Sequence, residues 1–214
     1  MDTDLGEAFW NDRYRSMDRV WSGRPNPQLV AVASGLPAGR ALDAGCGEGA
    51  DAIWLAECGW RVTAVELSSV ALERGAAAAA AHGYGEGDDR PGGVDWVHAD
   101  LTAWSPPESA YDLVSAQYLQ LPPDPRKAVF PRLAAAVAPG GLLLVVGHHP
   151  SDLHTTVRRP PLPELFFTAE DVAALLEPSS FDVLASEARP RPATDSEGRT
   201  VTVRDAVLVA RRTA

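Results

Sequence analysis

Glycines and acidic side chains alternate in one stretch of this chain in a way that simple packing does not require. In "LDAGCGEGADAIWLAECGWRVTAVEL", Gly45, Gly47 and Gly49 follow an apolar run, and Asp43, Glu48 and Asp51 lie around them. Glycine accepts positive φ and leaves no Cβ between backbone and ligand, so such a turn can hold a phosphate or a nucleoside. A dinucleotide turn has the spacing G-x-G-x-x-G and sets a pyrophosphate on helix N–H groups. Here the spacing is G-x-G-x-G. Three carboxylates would repel a pyrophosphate and favour a ligand carrying positive charge. Glu66 ends the next apolar run, roughly 20 residues beyond the glycines, where an acidic side chain accepts hydrogen bonds from ribose hydroxyls.

A second candidate is the pair His148 and His149 after "LLLVVG". Adjacent side chains point apart, so one faces a ligand crevice and the other does not. A neutral imidazole there can take a proton from an O–H or N–H nucleophile, and His149 is assigned as such a base. With Asp152 and His154 the pair makes a poor metal set, so no metal is expected. Cys46 has no basic neighbour to lower its pKa and reads as a small filler. Trp10, Tyr14, Tyr118, Phe166 and Phe167 either line an aromatic pocket or belong to the core.

Positioning these residues requires a sheet. Strands "RALDAG", "WRVTAVEL", "VDWVHAD", "YDLVSAQYLQ" and "GLLLVVGHH" alternate with helices "GADAIWLAECG", "SSVALERGAAAAAAHG" (capped by Ser68 or Ser69) and "DPRKAVFPRLAAAVAPGG". That alternation predicts a parallel sheet with right-handed crossovers. After helix "TAEDVAALLEPS", the last two strands, "FDVLASEARP" and "TVTVRDAVLVARR", are joined by a short polar link. They must pair as a hairpin, with one strand reversed. Residues 7 to 33 form a helical, aromatic lead-in broken at Pro25 and Pro27, with a new helix after Asn26. "YGEGDDRPGG" (Tyr84 to Gly93) is a polar loop and the segment most prone to disorder.

The bulk numbers narrow the partners. The 214 residues suit one domain, and 45% hydrophobic with 22% charged residues suits a soluble globular chain. A net charge of −10 gives no field to draw the chain to nucleic acid or an anionic membrane; Arg158 and Arg159 are the nearest thing to a basic patch. Two cysteines make no disulfide framework, and no run approaches the ~20 apolar residues of a membrane span. A cytoplasmic protein, monomer or homodimer, acting on a small molecule is expected.

A nucleoside with a cationic tail and no phosphate describes S-adenosylmethionine. "LDAGCGEG" resembles motif I of the class I S-adenosylmethionine-dependent methyltransferases. The resemblance extends through the acidic end of strand two, "HADL", "YDLV", "PGG" and the reversed hairpin, over roughly residues 38 to 213. It implies an α/β Rossmann-like fold with a seven-stranded, mostly parallel sheet, an antiparallel C-terminal strand, and helices on both faces. It further implies a core over 38–214 behind a lid over 1–37. The resemblance puts Asp43, Gly45, Cys46, Gly47 and Gly49 against the methionine part, Glu66 with Leu67 at the ribose, Asp100 and Leu101 at the adenine, and Gln117 near the amino-acid tail. "FWNDRY…WSGRPNPQLV" resembles the lead-in of small tellurite-resistance and thiopurine methyltransferases, which brings Trp21 and Arg24 to the cofactor's carboxylate. In-line methyl transfer to O, N or S of a small acceptor, with S-adenosylhomocysteine as product, is the expected reaction. A non-catalytic cofactor-binding module and a nicotinamide-dependent oxidoreductase are the alternatives.

Overall fold

A short strand of small apolar residues, β1 (Arg40–Ala44), forms the centre, and all but its first residue are buried. The computed structural model describes residues 5–84, 92–159 and 162–213. Most of the "YGEGDDRPGG" loop lies outside the described residues.

β2 (Arg61–Glu66), β3 (Val94–His98), β4 (Tyr111–Gln117), β5 (Val137–His148), β6 (Phe181–Thr194) and β7 (Thr200–Arg212) complete one sheet of order β3-β2-β1-β4-β5-β7-β6. The first five pair in parallel, and β7 runs antiparallel to both β5 and β6. The reversed strand is therefore the last one, slotted inside the sheet, with β6 at the edge. β6 runs on past Pro190, its expected last residue, through Pro192 to Thr194, which an edge strand tolerates because one side needs no N–H donors. Two buried clusters, one on each face, are built from the alternating side chains: Leu42, Val114, Leu143 and Leu208 on one, Ala41, Leu113, Leu144 and Val207 on the other.

The helices are α1 (Glu7–Arg15), α2 (Pro27–Ala33), α3 (Ala50–Glu57), α4 (Ser69–Ala81), α5 (Pro123–Ala135) and α6 (Ala169–Ala173). Asn26 caps α2, Ser68 caps α4, and Thr168 with Asp171 forms a capping box on α6. α5 is shorter than expected: "VAPGG" belongs to β5, where Val137 already pairs with Tyr111 before the register shifts. No helix among the described residues is long and apolar enough to cross a membrane.

Candidate active site

The parallel strands all end on the same side, and the order reverses direction between β1 and β4. Open α/β sheets bind ligands at such a point. A cavity of about 1980 Å³ opens there.

At its β1 side Gly45, Gly47 and Gly49 all take positive φ (77°, 54° and 79°). A Cβ on Gly49 would collide with the Trp96 ring, so this glycine also lets α3 close onto β3. Behind the turn, Asp43 is buried. Burial, then the carboxylates of Asp51 and Glu66, push its carboxyl well above the usual range. Burial raises Asp51 to about 6, although the Asn26 amide donates to it at 2.6 Å. Glu66 grips the turn: the Gly47 amide donates to one of its oxygens (3.0 Å) and the Ser68 amide to the other (2.9 Å). Burial lifts its carboxyl too, against the pull of those amides.

The lead-in lies over this turn. Asn11 of α1 accepts from the Ser68 hydroxyl (2.6 Å), and the Trp21 indole donates to the Tyr14 hydroxyl (2.9 Å) beside Gly47. Glu48 lines the cavity as the sequence suggested, but its carboxylate is also engaged by the lead-in. It accepts from the Val20 and Trp21 amides (3.1 and 3.2 Å) and pairs with Arg74 at 3.0 Å. Its role is to fasten the lead-in, because its charge is already answered. Arg24 lines the cavity together with Trp21.

Asp100 also lines the cavity, yet one of its oxygens accepts from the Thr102 amide (2.7 Å) as a turn residue does. Leu67, Leu101 and Cys46 border the same space. Burial, then the Asp43 and Glu66 charges, raise the Cys46 thiol well above its usual value, which keeps it an inert filler.

The far end is formed after β4 and β5. β4 stops where Tyr118 takes a φ of 52°, a strained value for a side chain of this size. That turn lays the Tyr118 ring against His148, with centroids 4.6 Å apart, and lets its hydroxyl donate to Asp205 (2.8 Å). The two histidines separate as expected of neighbours, but the assignment to His149 is corrected. His149 accepts from the Ser151 amide (3.2 Å), sits 2.9 Å from the Ser151 hydroxyl, and caps the short turn at Pro150–His154. His148 is the one that lines the cavity. Burial, then the nearby Arg159 charge, lowers its pKa to about 3, so it is neutral. Of the aromatic candidates, Trp10, Tyr14 and Tyr118 line the cavity, Phe166 flanks His148, and Phe167 packs on Phe130 in the core.

Sequence reasoning missed two arginines. Arg191 of β6 and Arg159 line the cavity and are held from behind by the buried carboxylates of Asp205 (2.9 Å) and Asp152 (2.7 Å). Both ion pairs join residues 7 or more positions apart, one across β6 and β7 and one within the loop after β5, and neither leaves a periodic signature.

Among the described residues, four buried side-chain atoms lack a hydrogen-bond partner: Asp43 Oδ2, Gln117 Oε1, His148 Nδ1 and Trp96 Nε1. The first three belong to residues lining the cavity, on the adjacent strands β1, β4 and β5. Each such atom left alone costs about 1–3 kcal/mol. The Gln117 carbonyl oxygen and the Asp43 carboxyl suit a ligand bringing N–H donors and positive charge, as the tail of S-adenosylmethionine does, and glycines without Cβ leave room for it.

Residues 41–141 match the family model described as a methyltransferase domain. The matched segment runs from β1 to the start of β5 and holds the glycine turn, Glu66 and Gln117. It is 32% identical to the trans-aconitate 2-methyltransferase of Paracidovorax citrulli over 57% of this chain and 44% of that protein. It is 28% identical to thiocyanate methyltransferase 1 of Brassica oleracea over 90% of this chain and 80% of that protein. The first alignment thus spans less than half of its relative. The solved structure of TehB from Haemophilus influenzae superposes with a TM-score of 0.69 at 17% identity, covering 97% of this chain and 67% of that one. At that identity the likeness speaks for the fold.

Proposed function

We propose that this chain is a class I S-adenosylmethionine-dependent methyltransferase and that it methylates a small molecule seated in the same cavity as the cofactor. The observation that carries the reading is the set of unpartnered Asp43, Gln117 and His148 atoms around one space at the ends of β1, β4 and β5.

S-Adenosylmethionine supplies a methyl group already activated on a sulfonium. The chain's own work is therefore to place the two molecules and keep water out, and placement can contribute ~7–11 kcal/mol in favourable cases. Asp43 and Gln117 receive the ammonium and sulfonium end. Glu66 trades its hold on Gly47 for the ribose hydroxyls. Asp100 and Leu101 border the base, and Trp21 with Arg24 closes over the carboxylate end. The acceptor then lies beyond Gln117, against Tyr118, Leu119 and His148. The names of the two relatives support a small acceptor, as does the net charge of −10. No metal is needed for transfer from a sulfonium.

Differential scanning tests the reading directly. S-Adenosylhomocysteine at 100-fold its Kd stabilises a protein by about 2.7 kcal/mol, so a clear rise in Tm is expected with it and none with NAD. An equal rise with NAD would favour an oxidoreductase, and no rise with either would remove the cofactor site.

A further inference from the structure

The acceptor end of the cavity is electrically unlike the cofactor end. Asp43, Asp51, Glu66 and Asp100 line the cofactor end along with Arg19, Arg24 and Arg74, whereas Arg159 and Arg191 are the charged side chains beside Tyr118 and His148 at the acceptor end. The partners of the two arginines do not cancel them at the cavity surface. Asp152 and Asp205 have side chains with 0% exposure, while Arg159 and Arg191 keep 14% and 27%. Both carboxylates are also saturated. Asp205 accepts from Tyr118, Arg191 and Gln28, and Asp152 from Arg159 and the Arg204 amide. Each buried aspartate therefore acts as an anchor that fixes a guanidinium against the cavity wall. Arg191 lies 5.9 Å from the Tyr118 ring, and that ring stacks on His148.

We infer that the acceptor is a small carboxylate, seated between Arg159, Arg191 and His148, and that it enters the reaction already ionised. This rests on the proposed transfer reaction. A neutral alcohol would need a base, and the neutral His148, with its pKa lowered to about 3, is a poor one. A carboxylate needs none. Its oxygen forms the new O–CH₃ bond with its own electron pair while the S–CH₃ bond breaks toward sulfur. The anion and the sulfonium both become neutral, and no proton moves. Planar guanidinium forks match a carboxylate in bidentate fashion, and His148 contributes an N–H that fixes its orientation. An anion opposite a sulfonium in a space walled by Leu119 and Leu121 also loses charge on the way to product, which a poorly solvated site favours.

The test uses the full chain saturated with S-adenosylhomocysteine, at constant ionic strength. Benzoate, succinate and tricarballylate are compared with their amides by thermal shift, and the best binder is titrated by calorimetry. A carboxylate is expected to raise Tm while its amide does not. Its affinity should fall at least tenfold in Arg191→Lys and in Arg159→Lys, which keep the ion pairs with Asp205 and Asp152 but lose the fork. The inference is overturned if amides stabilise as well as acids, if no carboxylate stabilises, or if both variants bind the acid as wild type does. Absence of any shift with S-adenosylhomocysteine itself would instead remove the transfer reaction on which the inference rests.

Discussion

Glu66, the last residue of β2, and Gly47, in the turn after β1, are joined through a 3.0 Å hydrogen bond from the Gly47 amide to the Glu66 carboxylate. The residue expected to hold ribose thus also holds the glycine turn. Glu66→Ala should therefore do two things. It should weaken S-adenosylhomocysteine binding by tenfold or more, read by calorimetry. It should also lower the Tm of the free protein, because the Gly47 and Ser68 amides lose their acceptor, at about 1–3 kcal/mol for each buried group. Wild-type affinity in this variant would refute the ribose assignment.

Asp43→Asn should move binding and stability in opposite directions. The carboxylate is buried among Asp51 and Glu66, which raises its pKa. Replacing it with an isosteric neutral amide relieves that repulsion, so the free protein gains Tm. Affinity for the cationic cofactor drops, and more for S-adenosylmethionine than for its uncharged-sulfur product if Asp43 faces the sulfonium. Parallel melts and titrations on one preparation decide this.

Asp51 predicts a pH dependence. Its carboxyl rises from 3.8 to about 6 on folding, so the folded chain binds this proton more tightly than the unfolded one. Its contribution to stability is fullest below 3.8 and is lost as pH rises through about 6. Asp51→Asn retains an acceptor for the Asn26 amide but has no proton to lose. The Tm gap between variant and wild type should be small near pH 4, grow in favour of the variant up to about pH 6, and then level off. A gap that stays constant across this range would count against the burial argument.

Glu48→Ala tests how the lead-in is held. It leaves the Val20 and Trp21 amides and Arg74 without their shared partner. Limited proteolysis should cut between 15 and 26 several-fold faster than in wild type. S-Adenosylhomocysteine should slow that cleavage, because the Trp21 and Tyr14 side chains close over the same space.

Strand direction was legible in the chain because it follows from short-range rules: alternation of strand and helix, and a link too short for a crossover between β6 and β7. The glycine turn was legible because positive φ selects glycine. The arginines were not. Arg191 owes its place to Asp205 on the neighbouring strand, which Gln28 and Tyr118 hold from distant segments, Gln28 lying 177 residues from Asp205 in sequence. Likewise "HH" says that one ring faces the crevice. Which one depends on the register of β5 against β7, where His148 pairs with Asp205.

The strand order has a consequence for how such a chain can change over time. The glycine turn and Glu66 stand at the ends of β1 and β2, whereas His148 and Arg191 stand on β5 and β6, beyond β4 in the sheet. Substitutions on the second set can redraw the acceptor pocket while the nucleoside grip is inherited intact. A library randomised at Arg159, Phe166 and Arg191 would then be a search over acceptors run on a constant methyl donor.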